Sequence, residues 1–152
     1  MRILSGLSVI ASLGFAHAAD LPEPVRACAA RAGLSYKIVR KVAPSYLEGD
    51  FDGDGKPDYA VLAMRGGAQG IIVCREGAAG PLILGAGAPF NEMKNLDFTA
   101  WRIHPRSRRV APGAGQKRPP ILAGDALYLE WESGSAVVYW KDSRFMWYQQ
   151  GD

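Results

Sequence analysis

The chain is poor in the residues that most often carry catalysis. Its 152 residues hold two histidines, His17 and His104, and two cysteines, Cys28 and Cys74. The cysteines do not form a C-x-x-C pair, which excludes a dithiol redox motif, and two lone thiols do not complete a zinc site. No G-x-S-x-G stretch is present, so a nucleophile elbow is absent. A hydrolase would have to be assembled from His104, Ser143 and a distant aspartate. Glu130 and Glu132, the nearest carboxylate pair for glycoside chemistry, lie two apart on a presumed strand, opposite Trp131, which is the pattern of an ordinary solvated face. The composition therefore points to a protein that is not an enzyme. One-sided charge is also lacking. With 18 basic and 15 acidic residues the formal net charge is +3, too small to argue for nucleic acid or a membrane surface as the main partner. There is no internal repeat, no heptad pattern and no linker dividing the chain.

Long apolar runs are confined to the N-terminus. Met1-Arg2 gives a positive start, Ile3 to Phe15 is apolar or small throughout, and Ala16-His17-Ala18 supplies an A-x-A site. That order matches a secretory signal peptide of residues 1–18, and the apolar run is too short to span roughly 30 Å of hydrocarbon. Residues 19–152 are then expected as one mature domain without a membrane span, in the periplasm or secreted. In that oxidising setting Cys28 and Cys74 read first as a disulfide.

The coarse pattern is mainly β (α+β): one N-terminal helix packed on an antiparallel sheet or small sandwich of six to eight strands. Leu21 to Gly33 reads as the helix, with prolines suited to its first turn, Val25 and Cys28 on an apolar face, and Gly33 as its stop. Strand-like runs follow at Lys37–Ala43, Tyr59–Met64, Gly70–Cys74, Pro81–Leu84 and Asp97–His104. Three aromatic and β-branched runs, Ala126–Glu132, Ala136–Lys141 and Arg144–Gln149, are separated by turn-forming residues and read as a meander. Pro105 to Pro120 is rich in proline and basic residues, with no acid, and reads as a long exposed loop.

The specific signal is Gly49-Asp50-Phe51-Asp52-Gly53-Asp54-Gly55-Lys56-Pro57-Asp58. Asp50, Asp52 and Asp54 occupy positions 1, 3 and 5 of a D-x-D-x-D-G pattern, whose oxygen donors turn toward one centre as the chain curls. Gly55 permits the sharp turn, the carbonyl of Lys56 stands at position 7, and Asp58 at position 9. Gathered carboxylates repel one another unless a cation neutralises them, and Ca²⁺ accepts six to eight oxygens in flexible geometry. Position 12 is Val61, not the bidentate Glu of an EF-hand, so a helix–loop–helix sensor is disfavoured. The segment Gly49 to Leu62 instead resembles the calcium loop of FG-GAP and VCBS-type repeats. The resemblance implies a loop joining two β-strands, with Asp50, Asp52, Asp54, Lys56 through its carbonyl, and Asp58 as calcium ligands. Those repeats usually occur in several copies, and this chain has one, so a propeller is excluded and their adhesion roles do not carry over. The alternative is an Asp/Gly-rich hairpin turn that binds nothing.

Two further features bear on partners. Tyr128, Trp131, Tyr139, Trp140, Phe145, Trp147 and Tyr148 divide between two strand faces, mostly as core, while any exposed members favour protein or carbohydrate contact. The basic stretch contributes Arg102, Arg106, Arg108 and Arg109, which suit an anionic partner. The expected function is a non-enzymatic, calcium-stabilised binding module for a protein or cell-wall component, with Arg102, Arg106, Arg108, Arg109, Trp131 and Trp147 as its partner surface. The alternative is an inhibitor or immunity-type protein against a cell-wall hydrolase or toxin.

Overall fold

The computed structural model describes residues 21–113, 115 and 118–151; the expected signal peptide, residues 1–18, lies outside them. Among the described residues one helix, α1 (Glu23–Ala32), precedes nine strands: β1 (Lys37–Ile38), β2 (Tyr46–Gly49), β3 (Asp58–Arg65), β4 (Ala68–Cys74), β5 (Leu82–Gly85), β6 (Ala100–His104), β7 (Ala126–Trp131), β8 (Gly134–Lys141) and β9 (Arg144–Gly151). All pairings between them are antiparallel. The mainly β class with one N-terminal helix therefore stands.

The first sheet runs β1-β3-β4-β5, and β2 shares the outer edge of β3 with β1. The second is the meander β6-β7-β8-β9, including the three strands read from the aromatic C-terminal third. Side chains alternate across each strand, and the inward sets interdigitate. Phe51, Leu62, Ile71, Val73 and Leu84 from the first half meet Phe98, Trp101, Leu127, Leu129, Val138 and Phe145 in one buried cluster. Removing such apolar area from water, at about 25 cal/mol per Å², is the main force holding the sheets together.

Each outer face is covered differently. On the first sheet, α1 lays Val25 and Cys28 over Val61, Ala63, Ile72 and Cys74. Glu23 in the first turn and Arg31 in the last suit the helix dipole, and Gly33, at φ 112°, ends it. The Cys28–Cys74 disulfide forms as expected, with the Cα atoms 5.7 Å apart. On the second sheet, Val110 from the proline-rich stretch and Leu122 just after it cover Ala126, Tyr128, Val137, Tyr139 and Tyr148. The stretch is the long exposed loop expected from the sequence, exposed at residues 105–109, 111, 112, 115 and 118, and buried Val110 straps it to the sheet.

Two differences from the sequence expectation have local causes. The run Lys37–Ala43 pairs only at Lys37 and Ile38, and then bends so that both Val39 and Val42 enter the core. The strand that the sequence did not lead one to expect, β2, has no alternating signal in Tyr46-Leu47-Glu48-Gly49. It exists because β3 offers it a partner edge, from Tyr46 opposite Val61 to Gly49 opposite Asp58.

Candidate metal centre

The Asp-rich loop joins β2 to β3, so Asp50 follows one strand end and Asp58 begins the other. Phe51, fully buried in the inter-sheet core, anchors it. Within the loop the aspartates fold the backbone. Asp52 Oδ1 accepts the Asp54 N–H at 3.2 Å, Asp54 Oδ1 accepts the Lys56 N–H at 2.8 Å, and Asp50 Oδ2 accepts the Gly55 N–H at 3.0 Å. Gly53 and Gly55 have φ of 77° and 84°, a region that costs glycine little.

These turns bring Asp50, Asp52 and Asp58 together, with one carboxylate oxygen from each within 4.8 Å of the others. Asp54 is not one of the three. Asp58 is fully buried; its Oδ2 accepts the Phe51 N–H at 2.8 Å and its Oδ1 the Glu76 N–H at 3.0 Å. Burial pushes the Asp58 carboxyl above its ordinary value, and the Asp52 charge adds to this, against the lowering effect of the backbone donors. Its contribution to metal-free stability is therefore largest at acid pH and declines as pH rises through the raised pKa. Asp50 Oδ1 is buried with no hydrogen-bond partner.

Sequence reading missed four further participants, because none is near the loop in the chain. Asp125 clasps it: its Oδ2 accepts the Asp50 N–H at 3.1 Å, and its own N–H donates to the Asp50 carbonyl at 2.7 Å. Arg106 N–H donates to Asp125 Oδ1 at 3.0 Å, and its guanidinium reaches Asp50 Oδ2 at 3.3 Å. Arg75 pairs with Asp52 at 3.2 Å while lying 4.1 Å over the Trp140 ring, and its Nε is buried without a partner. Two arginines thus offset part of the carboxylate charge. Gly124 is the fourth: a Cβ there would stand 2.5 Å from the carbonyl oxygens of Asp50 and Phe51. Gly124→Ala is therefore expected to push the loop off its seat, at about 1–3 kcal/mol of overpacking. Gly80→Ala, where a Cβ meets nothing within 4 Å, is the matched control and should stay within about 0.5 kcal/mol of wild type in urea unfolding.

The donor set is all oxygen, with no histidine or cysteine, and such sets suit hard cations rather than zinc or copper. The orphaned Asp50 Oδ1 fits the same conclusion, since a buried carboxylate oxygen without a donor is stabilised by a cation.

The other expected site residues divide. Arg102 lies 3.7 Å over the Tyr128 ring and 3.5 Å from Glu130, so it and Glu130 are paired with each other. Trp131 and Trp147, with rings 5.4 Å apart, pack half-buried against the inter-sheet core. Arg106, Arg108 and Arg109 belong to the strap on the other face of that sheet, so the arginines and tryptophans do not make one surface. His104 is buried, with Nε2 3.1 Å from the Arg108 carbonyl, which holds the start of the strap.

Comparison of the chain with protein-family models, with curated proteins and with solved structures finds no match.

Proposed function

We propose that the protein is a non-enzymatic binding module stabilised by one Ca²⁺ at the β2–β3 loop. The observation that carries the reading is the convergence of Asp50, Asp52 and Asp58 around an oxygen-only centre with an unsatisfied buried oxygen at Asp50. The likeness of Gly49 to Leu62 to FG-GAP and VCBS loops supports it. Asp50, Asp52 and Asp58 would hold the ion; Asp54 and the Lys56 carbonyl are ligands that the loop resemblance alone implies. Bound calcium supplies charge neutralisation and ties the two strand ends together. Extracellular modules of this kind bind at about 10⁻⁴–10⁻³ M, and occupancy of the folded state alone adds RT ln(1 + [L]/Kd) to stability.

The disulfide, and the absence of a helix long and apolar enough to cross a membrane among the described residues, are compatible with an exported protein. Export to the periplasm or beyond is part of the proposal, as is the lack of turnover.

Thermal unfolding in excess EDTA, and then in millimolar Ca²⁺, tests the reading. The melting temperature should rise with calcium in the wild type and stay flat in Asp52→Ala/Asp54→Ala. An unchanged wild-type transition would reduce the loop to a hairpin turn.

A further inference from the structure

The proline-rich stretch between β6 and β7 does more than cover the second sheet. It lines a concavity of about 710 Å³, whose lining includes Arg106, Arg108 and Arg109 together with Pro119, Ile121 and Leu122. Among the described residues, no acidic side chain lines it. By contrast, the smaller hollow beside α1, about 340 Å³, carries Glu76 with Arg31 and Arg75 and has no single charge preference.

The strap that forms this concavity is held at several points. The Arg108 N–H donates to the Pro105 carbonyl at 2.9 Å, and the Arg106 N–H donates to Asp125 at 3.0 Å. Farther along, the Gly113 N–H donates to the Tyr148 hydroxyl at 2.8 Å, and Gln150 Nε2 donates to the Ala111 carbonyl at 2.9 Å. Val110 is buried beneath it. These bonds fix residues 105–113, which carry Arg108 and Arg109, so the ordering cost of that part is met on folding rather than on binding.

The charges are only partly used. Arg106 is paired with Asp50, whereas among the described residues Arg108 and Arg109 have no ion pair. Beside them Ile121 is 97 % exposed. A small anion inside the concavity would leave Ile121 in water, whereas a partner chain lying across the strap would cover it. Guanidinium groups favour carboxylates through paired, charge-assisted hydrogen bonds, and apolar side chains next to them supply the water-excluding contact.

From this geometry we infer that the concavity lined by residues 106–112 and 119–122 is the docking surface of the module, and that its occupant is an acidic segment of a partner protein. That segment places carboxylates on Arg108 and Arg109 and an apolar side chain against Ile121 and Leu122. The inference deepens the binding-module reading and rests on it, but not on the metal.

The test is selection of a displayed library of random short peptides on the folded, disulfide-bonded protein, in EDTA and in millimolar Ca²⁺. Enriched peptides should combine Asp or Glu with a neighbouring Leu, Ile, Val or Phe. A synthetic copy of the leading peptide should bind about tenfold or more weakly to Arg108→Ala/Arg109→Ala, and more weakly to Ile121→Ser, each having the wild-type melting temperature. Added salt should weaken it further. Failure to enrich, enrichment without acidic bias, or equal binding to the double variant overturns the inference. So does binding to phosphatidylglycerol vesicles that depends on Arg108 and Arg109 when no peptide enriches, since the surface would then serve lipid. A calcium-dependent melting shift together with any of these failures would leave the metal centre standing and remove the docking surface alone.

Discussion

Phe51→Ala should lower the free energy of unfolding by about 3–5 kcal/mol, the range for deleting a buried aromatic ring from a packed core. Phe51 is fully buried although it stands between Asp50 and Asp52 in the most polar stretch of the chain. Its ring enters the cluster shared by the two sheets, and its N–H donates to Asp58. The residue therefore couples two things: the inter-sheet core, and the position of the loop relative to β3. The cavity left by alanine would cost stability directly. It would also release the loop from its seat, so the calcium-dependent rise in melting temperature should shrink along with the baseline. Urea unfolding in EDTA isolates the first effect, and its repetition in Ca²⁺ gives the second. A loss below about 1 kcal/mol would mean that the ring does not occupy the core as described.

The second large effect is expected at the disulfide. Replacing both cysteines, Cys28→Ala/Cys74→Ala, should cost about 4 kcal/mol by the chain-entropy argument for a bridge with a sequence separation of 46 residues. The cost falls on a particular place. Val25 and Cys28 are the fully shielded residues of α1, and their contacts with Val61, Ile72 and Cys74 are what hold the helix to the sheet. Without the covalent link a ten-residue helix, marginal by itself, would depend on that small cluster. Backbone amides of residues 25–32 should then exchange with solvent much faster than those of β3 and β4. Equal exchange rates before and after the substitution, with stability within about 1 kcal/mol of wild type, would contradict the assigned role.

Much of the architecture is legible in the chain because it rests on local signals. The helix announces itself by its prolines, its apolar spacing and Gly33. The last three strands are evident from aromatic and β-branched runs broken by Ser133-Gly134-Ser135 and Asp142-Ser143. The loop is legible for the same reason: the spacing of Asp50, Asp52 and Asp54 is a local property, and so is the turn that it makes. What escapes sequence reading is set by distant partners. β2 is a strand only because β3 lies beside it. Asp125, Arg75 and Arg106 reach the acidic cluster through contacts across 75, 23 and 56 residues, which no spacing rule records. Asp54, on the other hand, fits the local pattern, yet the structure gives its carboxylate to the Lys56 N–H.

The residues expected to form a partner surface show the same division. Counting aromatic and basic residues groups Trp131 and Trp147 with Arg102, Arg106, Arg108 and Arg109. Strand alternation then separates them, because Trp131 and Trp147 face the first sheet while the strap lies over the opposite face. Arg102 is removed from the set by its stacking on Tyr128 and its pairing with Glu130. Ile121, which carries no sequence motif, joins the remaining arginines only once the strap is folded.

The measurement that bears most directly on the central claim is an amide ¹H–¹⁵N titration of the EDTA-treated protein with calcium chloride. The expected result is saturable, one-site shifts on the amides of Asp52 to Lys56, with smaller shifts at Asp125 and Glu76, and a midpoint at or below about 10⁻³ M. Unchanged loop resonances through millimolar calcium, or shifts that saturate only elsewhere in the protein, would contradict it.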